Sequence, residues 1–305
     1  MTLLFLCVQR SRWLSLFDLG IVLSSVLNGL TMGAVYTLIA LGLTLIYGVL
    51  HIINFAHGAA LMMALFAVYG LNQVFGLDPY LSMGIVVPGM FVFGYALQRF
   101  VIERASHERD ENILLVTLGV SIVMENLALL LFHSDTRSID TGYTLSTVTI
   151  LGSVLARAKV ISFLGAMVVS ALLLVLIQKT DLGRAIRAVA KEKQGARLMG
   201  INVEHVYAMS FGIGMASLGA AAAFLLPSFY VNPTVGNGFV LVAFTIVVLG
   251  GMGSFLGAWV GGLLLGVVES VGGLFLGDSL GQVGIFLIFI VVLLFRPQGL
   301  FGAKT

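Results

Sequence analysis

Glu125 and Glu269 are acidic side chains set within long apolar runs, and their surroundings raise the first chemical question. A carboxylate at the centre of a bilayer costs about 2.5–3.5 kcal/mol on the insertion scale, so neither is expected to face lipid. Thr117, Ser121 and Glu125 recur every fourth residue and share one helical face, with Asn126 beside them. Two readings stay open for each glutamate. It lines a path for substrate or ion, or it is a buried carboxyl bonded to a neighbouring helix. No basic residue stands mid-span as an evident partner. Asn54 and His57 fall at a hinge between apolar runs. A lone histidine without a second at ligand spacing, no His-Glu-x-x-His and a single cysteine, Cys7, give no ground for a metal centre. No serine–histidine spacing supports a catalytic constellation either, so an enzyme is not expected.

A second group of chemistry-bearing residues is basic. Lys179, Arg184, Arg187, Lys191, Lys193 and Arg197 crowd the longest polar interruption of the chain, opposed by Asp181 and Glu192. Such a segment between apolar spans belongs on the cytoplasmic side of a membrane. It also reads as a helix, with Asp181 able to cap its start and Gly200 to end it. Arg184, Arg187 and Lys191 then share one face, while Leu182, Ile186, Val189 and Ala196 lie mostly on another. The alternatives are a docking element for something inside the cell and a solvated loop that only fixes orientation.

The elements that carry these residues are membrane spans. Of the 305 residues, 59% are hydrophobic and 10% charged, against about 25% charged in a soluble domain. A net charge of +2 gives no footprint for nucleic acid. A span needs roughly 20 apolar residues. The candidates are 21–50, 59–75, 81–100, 113–132, 160–177, 206–224, 239–249, 255–276 and 283–295. This makes an all-α polytopic membrane protein of about eight transmembrane helices: eight if Gly250–Ser254 breaks one tilted helix, nine if it separates two. Residues 1–17 read as a tail and 18–302 as one transmembrane domain, followed by 303–305. Within it, 179–203 is the cytoplasmic loop and 133–159 an extracytoplasmic segment with alternation fit for a short strand pair. Residues 99–111 read as a second charged loop on the cytoplasmic side.

Glycine spacing adds a packing signal. Gly253, Gly257 and Gly261 recur every fourth residue, as do Ala258, Gly262, Gly266 and Ser270, and Gly29 with Gly33. Small residues let helices approach closely in lipid. The rows serve helix packing, or else a subunit interface or a sliding contact. Gly250, Gly251 and Gly253 also suit unwound backbone along a path, or a loop just outside the membrane. No G-x-x-x-x-G-K-[ST] phosphate loop occurs, so an ATP site is not expected in this chain. Energy would come from an ion gradient or another subunit.

Several stretches resemble one family in both content and order. Gly42-Leu-Thr-Leu-Ile-Tyr-Gly48 and Ile53-Asn-Phe-Ala-His-Gly58 are similar to the segments around the first span of high-affinity branched-chain amino acid ABC-transporter permeases. Leu182–Ala190 with Ala196–Asn202 resembles their cytoplasmic coupling loop. Leu249–Ala258, Gly266–Glu269 and Arg296–Gly302 resemble their C-terminal third. The importer coupling signature Glu-Ala-Ala-x-x-x-Gly stands here as Gln194-Gly-Ala-Arg-Leu-Met-Gly200, with Gln and Gly in place of Glu and Ala. The resemblance covers roughly residues 28–302.

It implies a subunit of a bacterial inner-membrane importer. The implied partners are a second related permease, two cytoplasmic ATPases that use the ATP, a periplasmic substrate-binding protein and membrane lipid. It assigns ATPase coupling to Arg184, Arg187, Lys191, Glu192, Gly195, Ala196 and Gly200. The path or hinge candidates are Asn54, His57, Glu125, Asn126, Gly250, Gly251, Gly253 and Glu269. Branched-chain or other hydrophobic amino acids are the expected substrates, with urea or short amides as the family's other choice. An ion-coupled secondary transporter with Glu125 or Glu269 as proton carrier, or a passive channel, would need no docking helix.

Overall fold

A computed structural model describes residues 19–105, 110–143, 146–296 and 299–301. The expected tail 1–17 and the terminal 303–305 lie outside the described residues. Nearly all the rest is helix, with one two-stranded hairpin. Seven helices are long and apolar enough to cross a membrane, and Val235–Gly250 and Val283–Phe295 are shorter apolar helices.

Helix α1 (Leu19–Leu50) is the axis. Its 32 residues reach about 48 Å at 1.5 Å per residue, longer than a hydrocarbon core of roughly 30 Å. α2 (Ala56–Phe75), α3 (Pro79–Leu97) and α4 (Asp110–Phe132) follow. Strands β1 (Thr147–Ile150) and β2 (Ser153–Ala156) form an antiparallel hairpin and lead into α5 (Arg157–Lys179). α6 (Asp181–Lys191) and α7 (Lys193–Leu198) carry the basic segment. α8 (Val203–Leu225), α9 (Val235–Gly250), α10 (Phe255–Leu276) and α11 (Asp278–Phe295) complete the bundle.

Small residues decide which helices meet. A Cβ on Gly29 would fall 2.6 Å from Val267 Cα, and one on Gly33 2.9 Å from the Gly262 carbonyl oxygen. α1 and α10 therefore touch backbone to backbone, a contact available only where side chains are absent. Ser25 and Ser270 lock the crossing, each hydroxyl donating to the other's carbonyl at 2.8 and 2.7 Å. α8 does the same against α3: a Cβ on Gly94 would lie 2.7 Å from Met215 Cβ. The glycine row on α10 is thus an internal packing face.

Two sequence expectations are corrected and one open alternative is decided. The charged stretch from Arg99 is no loop at its start, because helix continues through Gln98–Ile102, as a wider π turn, to Ala105. Gln98 and Ile102 are buried there, while Arg99 pairs with Glu103 one turn on at 2.8 Å. The basic segment is two helices broken at Glu192, whose carboxylate accepts from Gln194 N at 3.1 Å. The first is capped by Thr180, which accepts from Gly183 N at 3.1 Å, while Asp181 pairs instead with Arg184. Finally, the break at Gly250–Ser254 is a turn between two neighbouring antiparallel helices. A Cβ on Gly250 would sit 2.6 Å from Ala258 N, so both arms require glycine to close. This resolves the count toward two helices, although α9 has only 16 residues.

The bundle has two unlike ends. One, the basic end, gathers α6, α7 and the α9–α10 turn, where Ile186, Val189 and Ala196 are buried against Leu45 and Val49 of α1. The C-terminal stretch closes over it, with Leu300 N donating to the Leu249 carbonyl at 2.8 Å. The other, the strand end, gathers the hairpin and the α2–α3 and α8–α9 connections. Tyr143 there donates to Asp78 at 2.6 Å. Desolvation by burial, and then this bond, raise the Tyr143 hydroxyl above its ordinary pKa.

Candidate functional site

A cavity of about 630 Å³ opens in the half of the bundle nearer the strand end. α1 supplies one wall because its residues 28–36 face a gap between α5, α8, α9 and α10. Met32, Val35, Phe239 and Val242 make an apolar surface. Two charged side chains line it, Lys159 at the start of α5 and Glu269 on α10. Lys159 Nζ donates to Asn28 Oδ1 at 2.9 Å. Tyr36 lines the cavity together with Glu269, its phenol near the Glu269 carboxyl. Tyr36 is itself held edge-on by Phe239, their ring centroids 5.9 Å apart. Volumes of 300–1,000 Å³ with a mostly apolar lining and few fixed polar groups characterise small-molecule sites. The arrangement can bind a compact molecule with polar groups at one part and an apolar group at another.

The other path candidates are not gathered with Glu269. Glu125 lies on the far side of the α9 start and accepts from Asn237 Nδ2 at 3.1 Å. Its stripe partner Thr117 is buried and takes Phe55 N at 3.4 Å. That is a carboxyl bonded to a neighbouring helix. Asn126 is turned outward and donates to Ile122 O of its own helix at 2.8 Å. Asn54 and His57 are buried at the α1–α2 junction, and His57 Nε2 lies 3.0 Å from the Ile39 carbonyl oxygen. His57 belongs to α2, so the hinge is a packed turn. Gly250 and Gly251 stand at the basic end, and Gly253 lines a smaller cleft of about 300 Å³ there with Arg187 and Lys191.

That cleft joins two candidates from the sequence, the basic helix and the glycine turn. Arg184 and Lys191 are exposed, and Arg187 turns back to the Ile177 carbonyl at the end of α5. Gly195 is half-buried, and Gly200 adopts φ +83 as the chain leaves α7. Leu198 and Met199, 89% and 82% exposed, are the most exposed large apolar side chains among the described residues.

Sequence reasoning missed Lys159, Tyr36, Leu198 and Met199. Lys159 falls at the end of the expected extracytoplasmic segment, one residue short of its span. The available signal was a cation at the span end opposite the basic segment, where charge bias expects few. Tyr36 gave none, because one tyrosine in an apolar run is ordinary.

Among the described residues seven helices are long and apolar enough to cross a membrane, so this is a multi-pass membrane protein, and the bacterial inner membrane fits its bacterial relatives. The family described as the permease component of branched-chain amino acid transport systems matches residues 25–295. The chain belongs to that family. It is 36% identical over 294 residues to the high-affinity branched-chain amino acid transport system permease protein BraD of Pseudomonas aeruginosa, covering 92% of this chain and 95% of that one. It is 32% identical over 298 residues to LivH of Escherichia coli, with the same coverage. A probable LivH of Methanocaldococcus jannaschii is 30% identical over 285 residues, covering 87% of this chain and 88% of the relative.

Proposed function

We propose that this chain is the membrane-spanning permease subunit of an ATP-driven ABC importer for branched-chain or other hydrophobic amino acids. The observation that carries the reading is the division of the molecule. A solute-sized cavity lies toward one end, and an amphipathic basic helix pair with a protruding Leu198–Met199 knob lies at the other. A basic segment of this kind sits in the cytoplasm, and on that reading the cavity opens toward the periplasm. A periplasmic binding protein delivers substrate there, and a second related permease completes the path. Two cytoplasmic ATPases grip α6 and α7, and their closure on ATP moves these helices. α6 bears on α1 through Ile186 and Val189, and α1 lines the cavity, so one rigid helix connects the ends. Such a lever supports alternating access as the mechanism. The apolar wall favours an aliphatic side chain over urea or a short amide.

Co-purification tests this. The tagged chain, extracted in mild detergent from native membranes, should bring stoichiometric ATPases and a second permease. Leu198→Asp with Met199→Asp should abolish ATPase recovery while leaving the membrane protein folded. Gly200→Val should abolish uptake without loss of insertion, since positive φ costs a branched residue about 1–2 kcal/mol locally. Recovery of the chain alone, with ion-dependent uptake intact, would make it a secondary transporter.

A further inference from the structure

Lys159 and Glu269 are costly residues for the place they occupy. Both are half-buried beside an apolar wall, and a charge out of water needs a compensating partner. Yet the groups beside them are neutral: Asn28 accepts from Lys159 at 2.9 Å, and the phenol of Tyr36 lies near Glu269. Among the described residues, neither belongs to an ion pair. The cavity thus holds one basic and one acidic side chain, each beside an uncharged one. Urea or a short amide brings no charge to either, and a lone cation leaves Lys159 unanswered. A free amino acid brings both charges on adjacent atoms and an apolar side chain besides.

From this geometry we infer that the cavity is a zwitterion site. Lys159 receives the α-carboxylate, Glu269 the α-ammonium, and Met32, Val35 and Phe239 the aliphatic side chain. Asn28 and Tyr36 are positioning residues that aim the two charges. The permease would then select the amino-acid backbone itself, after any selection by a binding protein. This site rests on the amino-acid reading above and adds residues and polarity to it.

The test is binding to the purified membrane complex, without binding protein, of L-leucine, leucinamide and 4-methylpentanoate. Leucinamide lacks the carboxylate and 4-methylpentanoate the ammonium. Charge-assisted hydrogen bonds of this kind change affinity by roughly 10- to 100-fold. The wild type should prefer leucine to both analogues by that factor. Lys159→Gln should erase the preference over leucinamide and keep the preference over 4-methylpentanoate. Glu269→Gln should do the reverse, and Lys159→Arg should retain both.

A measurement on unaltered protein covers the case of variants that do not fold. Leucine, but not leucinamide, should protect the Lys159 amine from an acylating reagent. Equal weakening of all three ligands, unchanged selectivity in the variants, or equal protection by leucine and leucinamide would overturn the site. If the complex still assembles and takes up leucine with ATP, those results leave the importer reading standing. A complex without ATPases would instead remove that reading.

Discussion

Helices α1 and α5 both pass through the bundle from the strand end to the basic end, yet they have opposite surroundings. The most apolar window of α1 is 83% buried, and that of α5, which is the more apolar window of the two, 22%. In water this order would be reversed. Lipid tails are as apolar as leucine, so a helix rich in Leu and Val gains little by leaving them. What draws α1 inside is what lipid cannot satisfy: Gly29, Gly33, Thr37, Thr44 and Tyr36. The interior of this protein is the small and polar part of an apolar chain. The cavity opens there because α1 supplies its wall.

The largest test of this contrast is steric. Gly266→Leu would put a Cβ 2.5 Å from the Gly29 carbonyl oxygen. Overpacking typically costs about 1–3 kcal/mol, occasionally more, so most folded protein should be lost in size-exclusion of the detergent extract. Gly119→Leu on α4, with open space around it, should leave the yield unchanged. Equal losses would remove the distinction. The second test deletes apolar volume. Leu38→Ala, fully buried on α1, should cost about 2–5 kcal/mol, read as a lower melting temperature. Leu172→Ala, 62% exposed on α5, should stay within about 0.5 kcal/mol, since detergent or lipid refills the space.

These pairs also explain what could be read in advance. The spans are one-dimensional signals and the structure has helices there as expected, while the basic segment is two helices rather than one and Gly253 of the first small-residue row falls in a turn. Burial was not legible, because apolarity does not separate core from lipid face. The cavity was half legible: Glu269 announced itself by its cost in a span. Lys159 did not, because its Asn28 partner lies 131 residues away in sequence. The stretch from Arg99 departs from the expected loop for a related reason. Charge density suggested a loop, while burial of Gln98 and Ile102 keeps it helical.

Smaller effects sharpen the same comparison. Ser270→Ala removes one of the two reciprocal bonds between α10 and α1. At roughly 0.6–2 kcal/mol for interhelical bonds in lipid, it should lower the melting point slightly and leave the fold intact. Glu125→Gln should do least. An amide can still accept from Asn237, so expression should stay near normal, with any change confined to transport rate. Loss of the folded protein would make the carboxylate itself structural.

The most direct measurement of the central claim is uptake into liposomes holding the complete purified complex. The expected result is L-leucine accumulation that requires ATP on the side of the basic end and binding protein on the other, and that persists when ion gradients are collapsed. Accumulation driven by a proton gradient without ATP, or flux through this chain alone, would contradict it.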